Sequence, residues 1–364
     1  GEWALIDSMR GFTADGSDAV LKADATDAEG NQLWVSPNAT GFKLRATSSA
    51  VNASGSTYIY MAIRRGPLAS PTAGTEVFAV DTGTGASDKP KYISNFPVDM
   101  AIITSITASE DNYNGSRLSQ ERYLVTNTSA AESGSINFSL DYNDGWFGAG
   151  GTNRVSWMWK RAPSFFDVVT YAGSSSAGTL DVKHNLAAKP ELIIAKRRNS
   201  VNAWRAITSI TASNFLTAGT ISTSGLSTQT YSSTSYLPSE PTDTSLIVNT
   251  DTGIGSLGNY TAYLFATLAG VSKVSSYTGN GSSQTIDCGF TTGARFILIK
   301  RTGDSGVATG NDWYVWDTAR GVVTGNDPHL SLNTTAAQVS DDSIDPDSSG
   351  FIVNQIAATN INVS

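Results

Sequence analysis

The chain has 364 residues, 34 of them glycine, and a net charge of −8. With only 24 lysines and arginines it lacks the basic surface that a nucleic-acid partner requires, and no apolar run reaches the roughly 18 residues of a membrane-spanning helix. Cys288 is the single cysteine, which excludes an internal disulfide and a cysteine-rich zinc site. The low charged fraction, 15%, and the many small polar residues favour short strands joined by polar turns.

Residues 1–67 form the first predicted unit, which starts in the middle of a repeat. Its stretch WALIDSMRG (3–11) matches WYVWDTARG (313–321) position by position. A Gly-Phe strand follows, and the unit closes with the alternating aromatic strand STYIYMAIRR (56–65). The later copies begin with an N-terminal third that has no counterpart in residues 1–67. We therefore interpret this first unit as the C-terminal part of a repeat.

Two complete repeats are predicted next, at residues 75–165 and 166–270. Each has a glycine-rich opening turn, an apolar strand and a closing aromatic strand. The closing strands are RVSWMWKRA (154–162) and NYTAYLFATLAG (259–270). Their side chains alternate sharply, which predicts strands with one buried face.

Residues 271–364 form the last predicted repeat. Its apolar strand, FILIK (296–300), is apolar on both faces, which predicts a central strand that is covered on both sides. No counterpart of the closing strand follows, so we expect an apolar groove and an unpaired edge beside SGFIVN (349–354). Three alternatives are predicted to fill the position of the missing closing strand: the next stretch of a longer chain, a neighbouring subunit, or the strand at 57–65 of the first unit.

Turn clusters recur about every 8–12 residues, as in proteins built of many short strands. This pattern predicts an all-β fold of tandem, jelly-roll-like β-sandwich repeats. The alternative is a β-propeller-like closure, in which both chain ends complete one unit. The sandwich is favoured because propeller blades have about 40–50 residues, roughly half the length of these repeats.

Two Asp/Arg pairs are the most suggestive candidates for chemistry: Asp7 with Arg10, and Asp317 with Arg320. An aspartate can act as an acid or base, and an arginine can hold an anionic ligand. Repeats share their scaffold more often than their active sites. We therefore interpret both pairs as structural ion pairs that fix the end of a strand to the following glycine turn.

The acidic stretch DDSIDPDSSG (341–350) is a candidate metal site. Oxygen-rich loops bind calcium, so the predicted ligands are Asp341, Asp342, Asp345 and Asp347. The alternative is a solvated acidic turn, since the spacing of an EF-hand is absent. No other cofactor is expected.

Trp146, Trp157 and Trp159 are candidates for stacking on sugar rings if they are exposed, although tryptophans that alternate along a strand are more often core residues. His184 and His329 lie at non-corresponding repeat positions, and the chain has no G-x-S-x-G elbow. The sequence therefore predicts no catalytic constellation.

Several stretches resemble repeats in virion proteins of tailed bacteriophages: WDTARG, YTGNGSSQTIDCGF, LIKR, NTTAAQ, DSSGF and YIYMAIRR. Such repeats occur in tail-fibre and minor structural proteins, often beside concanavalin-like or SPRY-like lectin modules. The resemblance covers most of the chain and is weakest in the middle of the second copy, where the Trp-Asp-x-x-Arg-Gly motif is eroded. It implies an all-β fold and a virion, extracellular location, and it supplies no catalytic residues.

Three hypotheses about function follow. The leading one is a non-enzymatic structural and adhesive module of a phage tail fibre or appendage. Its expected partners are further copies of the chain (a homotrimer, by analogy with fibres), other virion proteins and a host-surface glycan. The second is a polysaccharide depolymerase that uses Asp317 and the aspartates from Asp341 to Asp347. The third is a capsid-decorating or connector protein.

Overall fold

The computed structural model describes most of the chain. The described residues are 2–14, 17–38, 40–46, 48–63, 69–84, 89–119, 121–135, 137–148, 153–208, 214–218, 227–303, 311–356 and 358–363. Residues 64 and 65, the last two of the predicted first closing strand, lie outside this set.

The first unit forms a three-stranded antiparallel sheet and a separate hairpin. Its strands are β1 (Ala4–Leu5), β2 (Asp18–Lys22), β3 (Gly30–Gln32), β4 (Val35–Asn38) and β5 (Gly41–Leu44). The sheet has the order β1-β2-β3, and β4 pairs with β5. The segment 57–63, where the sequence predicts an aromatic closing strand, has no strand structure.

The second repeat forms a six-stranded main sheet and a two-stranded small sheet. Its strands are β6 (Phe78–Asp81), β7 (Tyr92–Ile93), β8 (Met100–Ser105), β9 (Tyr113–Ser116), β10 (Arg122–Val125), β11 (Ser133–Gly134), β12 (Gly145–Trp146) and β13 (Arg154–Trp159). The main sheet has the order β11-β10-β9-β8-β13-β6, and β12 pairs with β7. Short 3₁₀ helices lie at Gly74–Glu76 and Arg117–Ser119.

The third repeat has the same arrangement. Its strands are β14 (Phe166–Ala172), β15 (Thr179–Lys183), β16 (Leu192–Arg197), β17 (Arg205–Thr208), β18 (Asn214–Ala218), β19 (Ser227–Thr230), β20 (Ser245–Asn249) and β21 (Asn259–Phe265). The main sheet has the order β14-β21-β16-β17-β18-β19, and β15 pairs with β20. In both complete repeats the closing strand, β13 or β21, therefore lies inside the main sheet.

The last repeat has a shorter main sheet. Its strands are β22 (Gln284–Asp287), β23 (Phe296–Lys300), β24 (Trp313–Asp317), β25 (Asp327–Ser331), β26 (Val339–Asp341), β27 (Ile344–Asp347) and β28 (Gly350–Val353). The main sheet has the order β23-β24-β25-β26, and the small sheet has the order β22-β28-β27.

Strand register aligns the repeats residue by residue. Met100 pairs with Ser116, Leu192 with Thr208, and Phe296 with Asp317, so β8, β16 and β23 are equivalent. A side-chain bond recurs as well. The backbone N–H of Trp3 donates to Asp24 Oδ1 at 2.9 Å in the first unit. The equivalent bonds run from the backbone N–H of Asn112 to Asn127 Oδ1 at 2.9 Å and from that of Trp313 to Asn333 Oδ1 at 2.8 Å.

One apolar core is shared by the main sheets of three repeats. Phe78 of the second repeat lies 5.3 Å from Trp159 and 5.2 Å from Phe296 of the last repeat, and Trp159 lies 6.4 Å from Phe265 of the third, measured between ring centroids. Trp204 and Trp313 are buried in the same core. Separating these repeats would therefore expose large aromatic surface to water.

The opposite face of each main sheet packs against the small sheet of its own repeat. Trp146 covers Met158 in the second repeat, Val182 and Leu246 cover Ile193 in the third, and equivalent clusters fill the last repeat. Each repeat is thus a two-layer, sandwich-like unit with antiparallel strands throughout. The all-β sandwich architecture predicted from the sequence is confirmed.

Three sequence-based expectations are wrong in detail. Closing strand β13 is buried on both faces, because one face meets the shared core and the other meets the small sheet. The FILIK strand is covered on both faces, yet it lies at the edge of its sheet. Strand β28, in SGFIVN, is paired on both sides, whereas β23 pairs with β24 alone among the described strands.

The propeller-like alternative fails because no described strand of the first unit pairs with the last repeat. Within the described ranges, no helix is long and apolar enough to cross a membrane.

Candidate functional site

The Trp-Asp-x-x-Arg-Gly motif of the last repeat builds a closed turn at the end of β24. Asp317 Oδ1 accepts the backbone N–H of Ala319 and of Arg320, both at 3.0 Å. Asp317 Oδ2 lies 2.6 Å from Arg320 Nε, and Arg320 Nη2 donates to the Val315 carbonyl oxygen at 2.9 Å. The side chains of Asp317 and Arg320 are 0% and 2% exposed, so this ion pair is buried.

The first unit repeats this geometry at the surface. Asp7 Oδ1 accepts the N–H of Met9 and of Arg10, and Asp7 Oδ2 lies 2.6 Å from Arg10 Nε. Here the aspartate and arginine side chains are 48% and 25% exposed. Gly11 and Gly321 follow with φ angles of 107° and 115°, which a residue with a Cβ adopts only under strain. Both predicted ion pairs are therefore formed, each pinning a strand end to a glycine turn.

Trp157 connects the buried pair to the second repeat. Its Nε1–H donates to Asp317 Oδ2 at 2.9 Å, and the Arg320 guanidinium lies 5.7 Å from the centroid of its ring. The motif in the last repeat thus joins two repeats through a charge-assisted hydrogen bond and a cation–π contact. Asp317 was a candidate acid for the depolymerase hypothesis, but its carboxylate is enclosed and already bonded.

The three candidate sugar-stacking tryptophans are core residues. Trp146, Trp157 and Trp159 are 0%, 0% and 5% exposed. Trp146 faces the small sheet and donates its Nε1–H to Ser156 Oγ at 2.9 Å, while the other two face the shared core. The stacking hypothesis is wrong for these residues, because none of them offers a free ring face to a sugar.

The four candidate calcium ligands each accept hydrogen bonds from protein groups, and two of them share one donor. Asp342 and Asp345 each accept from Asn354 Nδ2 at 2.9 Å. Asp341 accepts from Ser343 Oγ, and Asp347 accepts from the N–H and Oγ of Ser349. Within the part of the chain that is described, no group of three or more His, Cys, Asp or Glu side chains is arranged to hold a metal ion. Calcium binding remains a sequence-based prediction.

The two histidines do not form a joint site. His184 and His329 are 3% and 5% exposed and lie in different repeats. His329 Nδ1 lies 3.6 Å from Asp341 Oδ1, and burial lowers the pKa of both imidazoles.

Two buried aspartates, Asp18 and Asp327, were missed by the sequence reasoning. Each starts the strand after a motif turn, and Oδ1 accepts a backbone N–H, from Thr13 at 2.7 Å and from Val323 at 2.6 Å. Both residues are 0% exposed, and in the described structure their Oδ2 atoms have no hydrogen-bond partner. Burial raises the pKa of each to about 6, and the carboxylates of Asp345, Asp342 and Asp341 add to the effect at Asp327.

Removing the charge of Asp327 should stabilise the protein at neutral pH. A folded-state pKa of about 6 lies above the ordinary aspartate value, so we expect the ionisation of Asp327 to lower the stability of the wild type as pH rises from about 4 to about 6. We expect Asp327→Asn to match the wild type near pH 4 and to exceed its free energy of unfolding by up to about 3 kcal/mol above pH 7. Urea denaturation across this pH range measures the difference.

The matched control is Asp7→Asn, because the bonds from Arg10 and Met9 hold the pKa of Asp7 below its ordinary value. Asp7 contributes stability above its unfolded-state pKa and loses it as pH falls, so this variant should be slightly less stable than the wild type at pH 7. A pH-independent difference between Asp327→Asn and the wild type would show that Asp327 is ionised at no energetic cost.

A groove of about 1100 Å³ opens beside β23. Its walls come from all three repeats of the shared core and include Trp159, Phe265, Leu298 and Tyr277. It lies where the complete repeats hold their closing strand, and it is mostly apolar.

A family model described as a domain of unknown function, DUF7483, matches residues 1–67 and 82–364. The chain belongs to this family. The DUF7483 match includes the partial first unit together with the later repeats, so the repeats lie within one family rather than in unrelated modules. No curated protein and no solved structure matches the chain.

Proposed function

We propose that this DUF7483 chain is a non-enzymatic structural and adhesive module of a tailed-phage virion, part of a tail fibre or related appendage. The observation that carries the proposal is the role of the motif in the last repeat. Its aspartate and arginine are buried and bonded to each other, and Trp157 of another repeat donates to the aspartate. Asp317 and Arg320, the candidate catalytic pair, thus stabilise the contact between two repeats, as expected of a structural protein.

The shared core supports a mechanical role. Three main sheets contribute aromatic side chains to one apolar cluster, so a force on one repeat reaches the others through packed rings. We propose a virion, extracellular location because the sequence resembles phage repeats. We propose no cofactor.

The proposed partners are further copies of the chain, other virion proteins and a host-surface glycan. A homotrimer is proposed by analogy with fibres. Because Trp146, Trp157 and Trp159 are buried, the glycan would contact other surface residues.

The proposal is tested with the purified chain, host cells and their envelope polysaccharide. We expect the chain to be retained on the cells and to release no reducing sugar from the polysaccharide. Failure to bind cells would contradict the adhesive role. Release of reducing sugar that disappears in Asp345→Asn would contradict the non-enzymatic role, since Asp345 is a partly accessible aspartate of the depolymerase hypothesis.

A further inference from the structure

The complete repeats show what occupies the position of the groove. Closing strand β13 pairs with β8 on one side and β6 on the other, and β21 pairs in the same way with β16 and β14. The strand that belongs beside β23 is therefore an antiparallel closing strand with aromatic or aliphatic side chains on both faces.

The edge of β23 that faces the groove is open. Strand β23 is equivalent to β8 and β16, yet among the described residues it pairs only with β24. Phe296 and Leu298 pack against the shared core, and Ile297 and Ile299 pack against the small sheet. Such an edge combines unpaired backbone groups with apolar surface, which favours the addition of another strand.

The chain also has a closing strand that is not used. The RRGP sequence at 64–67 matches KRAP at 160–163, which places residues 57–63 opposite the β13 sequence. Ile59, Tyr60, Met61 and Ile63 are 79%, 78%, 83% and 82% exposed. Exposure of four large apolar side chains within five residues is unfavourable in water and is typical of a contact surface.

This segment is held on its own first unit. The Tyr58 hydroxyl donates to the Ser49 carbonyl oxygen at 2.8 Å and accepts the Ala53 N–H at 2.9 Å. The Tyr60 ring lies 5.5 Å from the ring of Phe42. The first unit is in turn bonded to the second repeat, through Ala14 N–H to the Leu118 carbonyl oxygen at 2.9 Å. The segment thus lies on the first unit, and none of its residues is among those that line the groove.

We propose that residues 57–63 of one copy of this chain add as the missing antiparallel strand along β23 of a second copy. The register of this pairing is taken from β13 and β8, where Trp159 lies opposite Met100 and Trp157 lies opposite Ile102. In the equivalent pairing, Ile63 lies opposite Phe296 and Met61 lies opposite Leu298. Ile63 and Met61 then enter the shared core, while Ala62 and Tyr60 face the small sheet. The contact is head-to-tail, so it generates a ring if the rotation closes and a filament if it does not.

Cross-linking tests the register and the identity of the occupant. In a Cys288→Ser background, Met61→Cys protein is mixed with Leu298→Cys protein under mild oxidation. We expect a disulfide-linked heterodimer as the main product. Leu298→Cys mixed with Val201→Cys is the matched control, because Val201 is 72% exposed and lies outside the segment. Equal yields in the two mixtures would overturn the proposal.

Sedimentation tests the assembly without altering the groove. We expect the mass of the wild type to rise with concentration above the 38.2 kDa monomer, and Met61→Asp to remain monomeric. Val201→Asp should associate like the wild type. A wild type that stays monomeric, or a Met61→Asp variant that associates equally well, would overturn the proposal. Folding of Met61→Asp is not at risk, since this side chain is 83% exposed in the monomer.

Discussion

We expect Asp317→Ala to lower the free energy of unfolding by about 3–5 kcal/mol, and Asp7→Ala to lower it by no more than about 1 kcal/mol. The two aspartates make the same bonds to their turns, but only the Asp317 pair is buried. Loss of Asp317 leaves the Arg320 guanidinium in the interior without a counter-charge, and burial already lowers the pKa of Arg320 while Asp317 is present. Trp157 Nε1 loses its acceptor as well.

Urea denaturation of the two alanine variants at pH 7 measures this contrast. The variants are matched in residue type, in motif position and in the bonds to their own turns, so the difference between them reports burial together with the additional bond from Trp157. Similar losses of stability in both would show that the buried pair contributes no more than the surface pair. Restoration of stability in an Asp317→Leu/Arg320→Met double variant would show that the loss comes from an uncompensated charge.

We expect Trp157→Ala to lower the free energy of unfolding by about 3–5 kcal/mol and to destabilise the second and the last repeat together. Trp157 is fully buried, its ring lies 6.0 Å from Phe296 of the last repeat, and its Nε1–H donates to Asp317 of that repeat. A cavity at this position therefore removes packing from β13 and from β23 at once. Trp3→Ala is the control, since Trp3 is 59% exposed.

Hydrogen exchange measures how far the effect of Trp157→Ala spreads. We expect amide protection to fall in β13 and also in β23 and β24, which belong to another repeat. Protection lost from the second repeat alone would mean that the repeats unfold independently and that their common core does not couple them.

The sequence predicted the all-β class and the two motif turns correctly, because both depend on local signals. Alternating apolar residues and turn clusters define strands, and the Asp-x-x-Arg-Gly spacing places a carboxylate beside the N–H groups and guanidinium of the same turn. The repetition of the motif in two units also indicated a structural role for Asp7 and Asp317.

Pairing between distant strands could not be predicted in the same way. The closing strand is the last of each complete repeat, but it lies between β6 and β8 or between β14 and β16, near the front of the repeat. This non-local insertion explains why the open edge was expected at β28 and is found at β23. It also explains why both faces of β13 are buried, which a one-sided alternation pattern does not indicate.

The buried aspartates illustrate a further limit. Asp18 follows Gly11 by seven residues and Asp327 follows Gly321 by six, so a one-residue insertion conceals their equivalence. Comparison of the two turns would have found the signal, since an aspartate is the first residue of the strand that follows each turn. Burial of that carboxylate is set by the packing of the whole repeat and has no local sequence signature.

The proposed virion role is tested most directly by electron microscopy of tailed-phage particles from a source that carries the gene for this chain, labelled with gold-conjugated antibodies against the purified chain. A structural module of a tail fibre or appendage places the gold on these tail structures, at a regular position on each particle. Label spread over the capsid would indicate a decorating or connector protein instead. Particles that carry no label, with the chain found only in infected cells, would contradict a virion role.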